Sequence, residues 1–187
     1  MRTPDEMKKF LEADLRDALK GVFVGAVVWD AADEEKGRAE LCPFQRGIAM
    51  SASFVQARAL YEFYSSKEGK KPKKEEEEDD ARASDFLTPG TRKDFKISLF
   101  SKYMVPVNKR LFHLVYGRSG HAGGPEHDEK KHIKSQVLAF AKDLRVLTEE
   151  FGDRVKGDFR DSVQFALREA LKGAQEAADR CGIVNPI

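Results

Sequence analysis

Between residues 7 and 29 the apolar positions Met7, Leu11, Leu15, Ala18, Val22, Ala26 and Trp29 recur at intervals of three and four. That is the period of one face of an α-helix. Within this stretch "GVFVGAVVW" at 21–29 is continuous and β-branched, and by itself fits a buried strand equally well. The stripe enters it in phase, which predicts one long helix. After the loop signal "CPFQRG", Ile48, Ala52, Val55, Ala59 and Phe63 repeat the pattern and predict a second helix with that face apolar. Ile133, Val137, Phe140, Leu144, Leu147 and Phe151 form a third stripe, and Phe159, Val163, Ala166, Ala170, Ala174 and Cys181 a fourth. The glycine-containing "FGDRVKGD" predicts the turn between these two. No segment alternates with the period of a strand, and none repeats another.

The middle of the chain is punctuated differently. "SSKEGKKPKKEEEEDD" at 65–80 is a block of lysines followed by a block of acids. Adjacent opposite charges cancel, and no aromatic residue interleaves them, so the segment predicts a charged, flexible loop rather than a nucleic-acid patch. In "RASDFLTPGTRKDF", Ser84 and Asp85 are candidate helix caps, Thr88-Pro89-Gly90 is a turn, and Thr91 with Asp94 resembles a capping box. A further helical region is expected from about residue 91, interrupted at Pro106, which lacks a backbone donor and begins a kink or a new helix. The expected class is all-α: an antiparallel bundle of about five main helices.

Composition narrows the picture. A chain of 187 residues, 41% hydrophobic, can bury one sizeable core, so 1–187 reads as a single helical domain. Lys and Arg total 33 against 32 Asp and Glu. With no net pull toward polyanions, any RNA-binding surface must be local. The apolar run at 21–29 is too short to span a bilayer and residues 1–20 are too charged for a secretory signal, so a cytoplasmic protein without membrane contact is expected. Cys42 and Cys181 lie far apart without a CxxC spacing and read as reduced thiols.

The densest candidate chemistry is "NKRLFHLVYGR" at 108–118. At about 100° per residue, Lys109 and His113 share a helix face and Arg110 lies within about 60° of His113, while Asn108 is about 140° away. An imidazole that gains or loses a proton near neutral pH, beside a cation that stabilises phosphate charge, suits general acid or base work on an RNA 2′-hydroxyl. The same pattern equally describes a packed histidine on an amphipathic helix. Elsewhere His121, His127 and His132 surround "HAGGPEHDEKKH", where Gly-Gly-Pro geometry and the lack of a nearby cysteine argue for a polar loop over a metal site, with Asp128 as the cap of the next helix. Arg58 and Glu62 stand at i and i+4, the spacing of a surface ion pair. Asp85 and Phe86 belong to a turn or cap, or line a groove. "GVFVG" lacks the context of a phosphate loop and no G-x-S-x-G elbow occurs, so no cofactor is expected.

"VNKRLFHLVYGR", together with "ARALYEFYSS" and "ARASDFLTPG", resembles the HEPN-like domains (higher eukaryotes and prokaryotes nucleotide-binding) over about residues 45–150. The resemblance implies a helical bundle that commonly dimerises, with a polar histidine motif from each copy facing a shared groove. Many such domains are metal-independent ribonucleases of toxin–antitoxin, phage-defence or CRISPR systems; others bind RNA, nucleotides or proteins without cutting. Their nuclease signature is an arginine followed, after a short spacer, by a histidine. His113 matches the histidine, Asn108 stands at the spacing of the arginine, and Arg110 lies too close. On this resemblance His113, Asn108 and Arg110 are the catalytic candidates, and Lys109, Tyr116, Arg118 and Arg58 line the groove. Phe112 and Tyr116 suit a two-fold interface, so a homodimer is expected, with RNA or an antitoxin-like protein as partner. A non-catalytic module that only dimerises or binds protein is the other class.

Overall fold

The computed structural model describes residues 3–31, 43–64, 81–88, 126–183 and 187. Helix α1 spans Pro4–Phe10 and α2 Arg16–Ala31, joined without a break by a π-helical turn at Leu11–Leu15. Helix α3 spans Pro43–Tyr64, the short α4 Ala83–Phe86, α5 Glu126–Arg154 and α6 Gly157–Cys181. Among the described residues there is no strand, and one isolated antiparallel bridge joins Leu87 to Val155.

The chain enters α1 through a complete cap. Glu6 N–H donates to Thr3 Oγ1 at 3.3 Å and Thr3 N–H donates to the Glu6 carboxylate at 2.7 Å, with Pro4 in the first turn. Two orphan donors are thereby satisfied. The stripe from Met7 to Trp29 then runs through the π turn, which keeps both Leu11 and Leu15 fully buried. "GVFVGAVVW" is helical throughout. Its β-branched residues suit the interior because α2 packs against α3, α5 and α6 together; Val22, Phe23, Ala26 and Val27 are all buried.

Helices α5 and α6 bury most of the stripes read from the sequence; Val137 is half-buried, and the Ile133 side chain lies outside the described ones. Phe140, Leu144, Leu147 and Phe151 are buried on α5, and Phe159, Val163, Ala166, Ala170 and Ala174 on α6. Cys181 is a half-buried free thiol, and Cys42 lies outside the described residues. The turn between the two helices is only Val155-Lys156. Gly152 belongs to the last turn of α5, where a Cβ would meet Val163 Cγ1 at 3.3 Å, so it serves helix packing rather than the turn. Gly182 ends α6 with φ 66°, and Ile183 N–H donates to Ala178 O at 2.9 Å, a left-handed cap that glycine adopts without a Cβ penalty.

The segment 86–88 is tied to the α5–α6 turn. Lys156 N–H donates to Phe86 O at 2.9 Å, and Thr88 donates from both its N–H and its hydroxyl to Arg154 O. This delivers Phe86 into the core, where Phe10, Phe63, Tyr64, Phe86, Phe151 and Phe159 form a cluster of aromatic rings with centroids 4.9 to 6.4 Å apart in the contacting pairs. Several are edge-to-face, the arrangement aromatic quadrupoles favour.

Three expectations need correction. Helix α3 buries Ser53, Ala57, Leu60, Phe63 and Tyr64, whereas Ile48 and Val55 of the predicted stripe are 55% and 57% exposed and Ala52 and Ala59 are also exposed. Glycines select the face. A Cβ at Gly25 would lie 1.4 Å from Ser53 Oγ, and one at Gly21 2.7 Å from Gln56 Cγ, so α2 admits the small and flexible side of α3 and leaves its β-branched side outward. Ser84 lies inside α4 and is not its cap; Asp85 supplies the cap by accepting Arg82 N–H at 3.0 Å. Asp128 lies inside α5, which already begins at Glu126, and so is not its N-cap.

The π turn is fastened to α6 by one polar contact: Ser162, 4% exposed, donates from Oγ to Glu12 Oε1 at 2.7 Å. Hydrogen bonds to charged acceptors contribute about 1.5 to 3 kcal/mol. Ser162→Ala should therefore lower stability by about 1 to 2 kcal/mol in a denaturant titration, with an unchanged dependence on denaturant concentration because no surface is newly exposed.

Candidate functional site

His113, Asn108, Lys109, Arg110, Tyr116 and Arg118 lie outside the described residues, as do His121, the 65–80 loop and the region from Pro89 to Pro125. The backbone of α5 carries His127 and His132. Of the catalytic and groove candidates drawn from the resemblance, Arg58 is the one within the described residues. It is exposed on α3, and its Nε donates to Glu62 Oε1 at 3.1 Å. With both side chains at least half exposed, this i,i+4 pair contributes no more than a few tenths of a kcal/mol.

Glu62 in turn lines a groove of about 680 Å³. The π turn contributes Asp14 and Leu15, α2 contributes Asp17 and Ala18, and α3 contributes Gln56 and the run from Ala59 to Phe63. Phe10, Ala81 and Arg82 complete it. Its floor is apolar, since Leu15, Leu60 and Phe63 are buried, and its rim is polar. The volume falls within the range of roughly 300 to 1,000 Å³ seen for ligand sites. Asp14 and Asp17, three residues apart, share an exposed helix face at the rim, while Leu11 and Leu15, four apart, share the face that enters the core.

The rim is of mixed charge. Asp14, Asp17 and Glu62 supply three carboxylates and Arg82 one guanidinium. Arg16 Nε donates to Asp17 Oδ1 at 2.8 Å and holds that carboxyl below its ordinary range, so Asp17 is an anion near neutral pH. Arg58 does the corresponding pairing at Glu62. Asp14 makes no ion pair among the described residues. With Arg16 and Arg58 beside it the rim holds as many cations as anions, so it carries no excess positive charge to draw a phosphate chain.

Two neighbouring groups are structural. Asp85, besides capping α4, presents its carbonyl to Lys156 Nζ at 3.1 Å, and Phe86 is fully buried. The Tyr64 hydroxyl lies 3.0 Å from Thr148 Oγ1, whose own proton goes to Leu144 O at 2.8 Å, so the phenol is the donor. Burial pushes the Tyr64 phenol well above its ordinary value, against a smaller opposite effect of the Thr148 contact. It stays neutral and serves neither as acid nor as base near pH 7. Among the described residues no three His, Cys, Asp or Glu side chains come together in a metal-binding arrangement, and no helix is long and apolar enough to cross a membrane.

Sequence reasoning missed Asp14, Asp17, Tyr61 and Arg82. The two aspartates lie on an exposed helix face, and no linear signal tells which exposed face will border a groove. Compared with protein-family models, curated proteins and solved structures, the chain shows no match to any.

Proposed function

We propose that this chain is a HEPN-like helical bundle that binds a partner without cleaving RNA, acting as a homodimer in the cytoplasm and belonging to a toxin–antitoxin or phage-defence pair. The observation that carries the reading is Asn108 at the position where the nuclease signature has arginine. Phosphoryl transfer develops negative charge that a guanidinium meets with a full positive charge and a forked set of donors, whereas a neutral amide offers only its N–H dipoles. The helical character of the described residues supports the fold part, and the mixed-charge groove supports a protein partner over a polyanion.

A second reading, a metal-independent ribonuclease, is favoured by one feature: His113 has Lys109 and Arg110 beside it in sequence, either of which offers a cation. One experiment separates the two. Wild type and His113→Ala are incubated with structured and unstructured RNA in chelator, the ends are analysed for cyclic phosphate, and retention of RNA is followed by anisotropy. The expected result is no cleavage by either protein. Chelator-resistant cleavage by wild type that falls by about 10² to 10⁴ in the variant would overturn the reading, because that is the usual contribution of a general acid or base.

A further inference from the structure

We draw no further inference here: the strongest candidate, the apolar-floored groove between the π turn, α2 and α3, sets its rim carboxylates among as many cations, and nothing in the structure shows what covers it.

Discussion

Phe151→Ala should cost about 3 to 5 kcal/mol of folding stability, the largest loss expected from one truncation in this core. Phe151 is fully buried on α5, and its ring lies 5.5 Å from Phe63, 5.6 Å from Tyr64 and 6.4 Å from Phe86, edge-to-face in each case. Those partners come from α3 and α4, so the ring joins three helices that are distant in sequence. Its neighbours cannot collapse into the space. Phe86 is held by the backbone bond from Lys156, and the Tyr64 hydroxyl by Thr148. A cavity should therefore persist, and cavity volume adds to the lost transfer free energy. Against a typical domain stability of about 5 to 15 kcal/mol, most of the margin would go. Chemical denaturation of wild type and variant measures it. A loss below about 1.5 kcal/mol would show that the aromatic cluster repacks around the gap. Phe151→Leu, which keeps most of the volume, should recover more than half of the loss.

The second large effect belongs to a residue without a side chain. Gly25→Leu should destabilise by about 3 kcal/mol or more, and Gly25→Ala by about 1 to 3 kcal/mol, in spite of the roughly 1 kcal/mol by which alanine is the better helix former. The new Cβ would fall 1.4 Å from Ser53 Oγ and 2.8 Å from Ser53 Cβ. A hydroxyl can rotate away. The Cβ of Ser53 and the backbone oxygen of Ala49, 3.1 Å from the new atom, can move only if α3 moves. Displacing α3 also breaks the bonds from Ser53 Oγ to Gly21 O at 3.1 Å and Ala49 O at 2.9 Å. Adding Ser53→Gly to Gly25→Ala removes both serine contacts, so the double variant should be less destabilised than the two single losses together, with a coupling of about 1 kcal/mol. Additive losses would mean that α2 and α3 do not approach as closely as the glycines allow. At Gly21 the same substitution should cost less, because the nearest atom, Gln56 Cγ at 2.7 Å, belongs to a side chain that can swing aside.

Particular residues show how much of this protein was legible in its sequence. The stripes on α5 and α6 were readable because each helix has one apolar side, and an apolar side in water has a single low-energy destination. "GVFVGAVVW" was readable as helix only through its phase with Met7, Leu11 and Leu15, since its composition suits a strand. Thr3 and Glu6, not among the caps named from the sequence, form one in the structure. The Arg58–Glu62 spacing produced its ion pair, because neighbours one turn apart on a helix need no tertiary contact to meet. The "NKRLFHLVYGR" motif supplies the functional reading and lies outside the described residues, so there the sequence stands alone.

What the sequence determined by itself is therefore local: helix, apolar face where one face is apolar, and ion pairs within a turn. What only the tertiary structure decided is every choice between local equals. On α3 both sides are apolar, and the one that went inside is the one whose Ser53 and Gln56 fit against Gly25 and Gly21 of another helix. Asp14 and Asp17 border the groove because α3, Ala81 and Arg82 come alongside their exposed face, which no periodicity announces. Asp85 became a cap, and Phe86 a core ring, because the α5–α6 turn offered Lys156 and Arg154 as backbone partners. Local propensities differ by fractions of a kcal/mol per residue, whereas a misplaced Cβ or an opened aromatic cluster costs several. Where propensities tie, close packing between helices far apart in the chain settles the outcome.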